Sequence, residues 1–111
     1  MLALALALAQ PAGFTCSAQG AKLLVPATAP EVACARLKAG LGKAGIRFDR
    51  GEIRVALRFE KPGIATASVT RTSGGKAVRL PDISVATSDR AMGPSTIDLL
   101  AREIAGRLTT R

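Results

Sequence analysis

The chain has 111 residues, with 16 Lys and Arg against 8 Asp and Glu, a net charge of +8 and no His, Trp or Tyr. That length supports one domain around one core and excludes two. Without His the commonest general base and metal ligand is missing, and with Phe14, Phe48 and Phe59 as the only aromatics the core must come from Leu, Ile, Val and Ala.

Leu2 to Ala9 alternate Leu and Ala in an apolar block of h-region length, too short to span a bilayer, so no transmembrane segment is expected. Ala7, Leu8 and Ala9 give the small-x-small pattern of a signal-peptidase site, although only Met1 stands where a basic n-region belongs. The expected division is a signal peptide over residues 1–9, an N-terminal arm over 10–20 and a single domain over 21–111, with the mature chain periplasmic or secreted. In that compartment Cys16 and Cys34 are expected to pair as a structural disulfide, contributing roughly 3 kcal/mol by loop closure. No CxxC pair and no His accompany them, so neither a metal nor a cofactor is expected.

Ala21 to Val25 reads as a short first strand ended by Pro26. Thr28 can cap a following helix, with Glu31 three residues later in a capping-box arrangement, and Val32, Ala33, Leu37, Leu41 and Ala44 recur at helical spacing up to a stop at Gly45. Cys34 falls at the edge of that apolar stripe, within reach of Cys16. Glu52 to Glu60 alternates without a fault, with Ile53, Val55, Leu57 and Phe59 on one face and Arg54 and Arg58 on the other. Lys61, Pro62 and Gly63 turn the chain into a returning strand, Ile64 to Arg71, and Thr72 to Lys76 turns it again. Val78 to Thr87 gives a third strand of this run, interrupted by Pro81 and Asp82, which marks an edge or a bulge. After a loop from Ser88 to Pro94, Ser95 can cap the last helix with Asp98 three residues on, and Ile97, Leu100, Ala101, Ile104 and Leu108 form its apolar stripe.

The predicted fold class is therefore α+β, a single two-layer domain of order β-α-β-β-β-α, with two helices packed on one face of a small mixed sheet. Through that element order alone the chain resembles the small periplasmic modules found at the N-terminus of TolB and in related envelope lipoproteins. The resemblance implies a role in the cell envelope.

No catalytic constellation emerges. Glu31 and Asp98 are accounted for by helix starts, Glu52 and Glu60 flank arginines, and Asp49, Asp82 and Asp89 fall in or near three different loops. Ser73 to Lys76 lacks the spacing of a phosphate loop and reads as a hairpin turn. Arg54 and Arg58, with Lys22, Lys61, Arg71, Lys76 and Arg79 on or near neighbouring strands and turns, suggest a positive sheet face, and Arg90 and Met92 lie in the loop before the last helix. The expected function is thus a non-enzymatic interaction module whose Arg54, Arg58, Arg90 and Met92 contact an acidic protein or an anionic glycan or lipid surface. Two alternatives stand beside it: a small enzyme or ligand-binding protein with a pocket between helix and sheet, and an intracellular nucleic-acid-binding domain. The lack of exposed aromatics counts against nucleic acid. An uncovered edge strand near Pro81 would allow a homodimer.

Overall fold

The computed structural model describes residues 13–49, 51–61, 63–87 and 91–109. The elements run β1 (Phe14–Gln19), α1 (Pro30–Lys43), β2 (Glu52–Glu60), β3 (Ile64–Ser73), β4 (Lys76–Arg79), β5 (Ile83–Ala86) and α2 (Pro94–Thr109). This is the expected small α+β domain, with two helices on one face of a mixed sheet and the third strand after α1 split into β4 and β5. The signal-peptide assignment and Arg90 lie outside the described residues.

β2 and β3 form the middle of the sheet as an antiparallel pair, from Glu52 opposite Thr72 to Glu60 opposite Ile64. Their strict alternation puts Ile53, Val55, Leu57 and Phe59 beside Ala65, Ala67 and Val69 on the covered face, all at 5% exposure or less. The alanines of β3 keep that part of the sheet surface low, where α2 crosses it. β4 and β5 pair with opposite ends of β3 and so act as one broken edge strand. The break at Leu80, Pro81 and Asp82 is bridged by the Leu80 amide donating to the Val69 carbonyl at 2.9 Å.

The first strand is not at Ala21–Val25. It lies earlier, at Phe14–Gln19, in the stretch assigned to an arm, and pairs parallel with β2 from Phe14 opposite Ile53 to Gln19 opposite Arg58. Ala21–Leu23 is a 3-10 turn instead. The cause is Gly20, whose φ of 78° turns the chain off the sheet, and where any side chain would collide with the carbonyl of Phe59. Ala21 and Leu24 then drop into the core rather than extending a strand.

Both helix starts differ by a residue or two from expectation. Thr28 does not cap α1. Its hydroxyl donates to the Pro26 carbonyl at 2.8 Å, and the helix begins at Pro30 behind Ala29, using the proline where its missing N–H costs nothing. α2 begins at Pro94 rather than after Ser95, and Thr96 Oγ1 accepts the Gly93 amide at 3.0 Å, the returning half of a capping box. The end of α1 is as expected. Gly45 takes φ 90°, its amide reaches Gly42, and the Ile46 amide reaches the Leu41 carbonyl at 3.0 Å, a Schellman stop.

The two helices run parallel, α1 over β1 and α2 over β3 and β5. Leu37, Leu41, Leu100 and Ile104, all fully buried, join the two helices to the sheet. Cys16 of β1 and Cys34 of α1 are disulfide-bonded, with Cα atoms 5.8 Å apart across a sequence separation of 18. The bond fastens the edge strand to the helix above it.

Candidate functional site

The open face of the sheet carries the arginines that the sequence reading favoured, but it is not positive. Arg54 reaches Glu52 at 3.2 Å, Arg58 reaches Glu60 at 3.2 Å and Arg79 reaches Asp82 at 3.2 Å. Each cation of the face therefore has its own carboxylate. Between them lie hydroxyls, amides and small side chains, with Thr15, Ser17 and Gln19 on β1, Ala56 on β2, and Thr66, Ser68 and Thr70 on β3, and Ile64, partly exposed, beside Glu60 at the start of β3. Ser68 also donates to Asp82, which tightens that cluster further. Arg71 is not on this face, because it lies opposite Ile53 and donates from its guanidinium to the Leu108 carbonyl at the end of α2, 3.0 Å away. Met92 is only 5% exposed and packs in the core, since the loop draws in as the Val25 amide bonds to the Met92 carbonyl at 2.8 Å. Its side chain is not presented to a partner.

Cations without an ion-pair carboxylate are spread over the described residues, with Lys22 and Lys61 at turns, Lys76 on the edge strand and Lys38, Lys43, Arg102 and Arg107 on the helices, and two of them meet where the helices adjoin. Where the helices cross, a side chain at Gly40 would press on Ala101, so the backbones are close and their outer surfaces meet in a shallow groove. Arg36 of α1 spans that groove and binds Asp98 of α2 with two parallel hydrogen bonds of 2.8 Å. Those bonds hold the Asp98 carboxyl below its ordinary value against the opposing cost of burial, helped by the positive charges of Arg36, Lys43 and Arg102. One carboxylate thus sits among three cations. Lys43 lines the groove beside Ala39 and Gly40, and Arg102 is one helical turn beyond Asp98. Among the described residues, Lys43, Arg102 and Arg107 have no carboxylate within ion-pair distance.

Past the groove, the C-terminal ends of both helices converge on a cleft lined by Gly45, Ile46, Arg47, Gly51, Ile53, Arg71, Leu108 and Thr109. Arg47 is held by Asp49 at 2.7 Å, and Arg71 by the helix carbonyl. Lys43 and Arg107 sit in the last turns of their helices, where cations also favour the helix dipole. The outcome is two cations without carboxylates, Lys43 and Arg102, at the interhelical groove, while Arg107, about 140° round the helix from Arg102, lies on the opposite flank of α2, one turn after Glu103. The groove can hold an anion by contacts from both helices, whereas no cluster of His, Cys, Asp or Glu among the described residues could hold a metal. The space between α2 and the sheet, where a ligand pocket was envisaged, is filled by Ile97, Leu100 and Ile104, each at 2% exposure or less.

The sequence reading missed Lys43 and Arg102 as site residues because their neighbours come from different helices. One signal was present: Arg36 and Lys43 are seven positions apart, on one flank of α1. The neutral sheet face was legible too, since Glu52 and Arg54, like Arg58 and Glu60, are two apart on a strand and must share a face.

No protein-family model matches the chain, and no curated sequence does. Two solved structures are similar in fold. A ribosomal subunit interface protein from Coxiella burnetii superposes with a TM-score of 0.52 at 15% identity, over 86% of this chain and 92% of that one. The N-terminal domain of Protein Y from Thermus thermophilus has a TM-score of 0.49 at 14% identity, over 86% of this chain and 94% of that one. At such identities the likeness is one of fold. It corrects the expectation of a periplasmic or secreted envelope module that binds an acidic protein, glycan or lipid: the element order taken as resembling TolB-type modules is that of a ribosomal subunit interface protein. It likewise removes the argument against nucleic acid, which had rested on exposed aromatics that backbone binding does not need.

Proposed function

We propose that this chain is a nucleic-acid-binding domain that grips the phosphate backbone of structured RNA with its helical layer. The observation that carries the reading is the partition of charge: the arginines of the open sheet face are each neutralised, while Lys43 and Arg102 meet at the interhelical groove without ion-pair carboxylates of their own among the described residues. Cations left unpaired on a rigid surface are what phosphate contacts require, and their energy comes from counterion release rather than from base recognition. The fold shared with a ribosomal subunit interface protein supplies a setting, since a ribosomal subunit presents structured RNA on its surface.

The test is RNA binding followed across salt concentration. With about two to three phosphate contacts, affinity should fall roughly ten- to fortyfold between 50 and 200 mM salt. The triple variant Lys43→Glu, Arg102→Glu, Arg107→Glu should abolish binding, while Arg54→Ala with Arg58→Ala leaves it within about threefold. Equal losses from the two variants would place the contact elsewhere, and no binding by the wild-type chain would end the reading. Co-sedimentation with isolated ribosomal subunits, lost in the same triple variant, would support the setting.

A further inference from the structure

We infer that the nucleic acid this surface takes is double-helical RNA, gripped by its backbones, in preference to a single strand or a B-form DNA duplex; the inference rests on the RNA reading above. It follows from what the two faces of the domain can and cannot do. Single-strand binders stack bases on exposed aromatic rings. Here there is no Tyr or Trp, and all three Phe belong to the helix side of the sheet. Phe14 and Phe59 are buried, and Phe48 lies edge-on against Phe14 at 5.1 Å with the Lys38 ammonium over both rings. The open sheet face, where a stacking platform would have to lie, offers hydroxyls and closed ion pairs.

Sequence readout in B-form DNA is excluded by shape. A reading helix must enter a major groove about 12 Å wide. α1 and α2 lie side by side on the same sheet face, pressed together at Gly40 and Ala101, so with their side chains they present a surface about 20 Å across. Neither helix can enter the groove without the other. A broad, shallow surface instead suits the wide, shallow minor groove of A-form RNA and the phosphates that border it. The cations without carboxylates at the groove come one from each helix, Lys43 of α1 and Arg102 of α2. Charges carried by two separate helices meet separate points on a backbone, not one base.

Fluorescence anisotropy with the whole chain distinguishes the outcomes, using a labelled 16-base-pair RNA duplex, one of its strands with an unstructured sequence, and the DNA duplex of the same sequence. The RNA duplex should bind at least tenfold more tightly than either competitor. Lys43→Gln with Arg102→Gln, both exposed positions, should weaken duplex binding at least fivefold while the thermal unfolding midpoint stays unchanged. A single strand bound as tightly as the duplex, or DNA bound as tightly as RNA, would overturn the inference and leave the RNA reading standing. Failure to bind any of the three would overturn both.

Discussion

At Gly40 the absence of a side chain decides how close two helices come. A Cβ there would lie 2.8 Å from that of Ala101, nearer than packed carbons tolerate. Glycine in a helix interior costs about 1 kcal/mol relative to alanine, so its use here is offset by the contact it permits. Gly40→Leu should therefore lower stability by about 1–3 kcal/mol in urea unfolding, as overpacking does, and should weaken RNA binding by spreading Arg36 and Lys43 from Arg102. A neutral or stabilising result would show that the groove is not set by this approach. The disulfide is the second residue-scale control. Closing a loop of 18 residues contributes about 3 kcal/mol by the chain-entropy argument. Unfolding with and without a thiol reductant should show that loss while the reduced protein remains folded, because Leu37, Leu41 and Val55 bury themselves without the bond. Unfolding on reduction alone would mean that the apolar core is insufficient.

Between elements, the Arg36–Asp98 pair links α1 to α2, and it gives stability a particular dependence on pH. The folded protein holds the Asp98 proton less tightly than the unfolded chain does, because Arg36 hydrogen-bonds to the charged carboxylate. The stabilisation is therefore complete above about pH 4, the ordinary range of a carboxyl, and is lost as pH falls through the lower folded value. Asp98→Asn should flatten that acid limb in thermal unfolding and leave the neutral-pH midpoint only slightly lower, since both partners are nearly half exposed. An unaltered acid limb would mean that the pair does not form in solution. Such a link could not be read from the sequence, where Asp98 was assigned to the cap of its own helix. Local patterns were legible when one element carried all of the information: the alternation of Glu52–Glu60, the stripe from Ile97 to Leu108 and the stop at Gly45. β1 was not, because Thr15, Cys16, Ser17, Ala18 and Gln19 form an edge strand with little apolar contrast, while the more apolar Ala21–Val25 bends into the core at Gly20. The basic groove was hidden for a related reason, since helical periodicity places Lys43 and Arg102 outside their own stripes and says nothing about which flanks face one another.

For the molecule as a whole, net charge alone says little, and its placement decides which face meets a polyanion. The sheet face and the helical layer both carry arginines, but the carboxylates of Glu52, Glu60 and Asp82 neutralise the first. Those three acids act as a mask, and removing them should create a second binding surface. Glu52→Gln, Glu60→Gln and Asp82→Asn together leave Arg54, Arg58 and Arg79 in place without their counter-charges, and the fold should tolerate the change because all three pairs are solvent-exposed. Introduced into the triple variant Lys43→Glu, Arg102→Glu, Arg107→Glu, the substitutions should restore RNA binding with a steep salt dependence, since the contacts would again be to phosphate. The restored binding should lack the preference for duplex over single strand, because β2 and β4 present their arginines on a flat sheet with no paired helices to match an A-form groove. Anisotropy with the same duplex and single strand measures both effects. If the unmasked sheet face binds nothing, unpaired charge is not sufficient for contact and the shape of the helical layer carries the affinity; if it regains the duplex preference as well, that preference does not come from the helices.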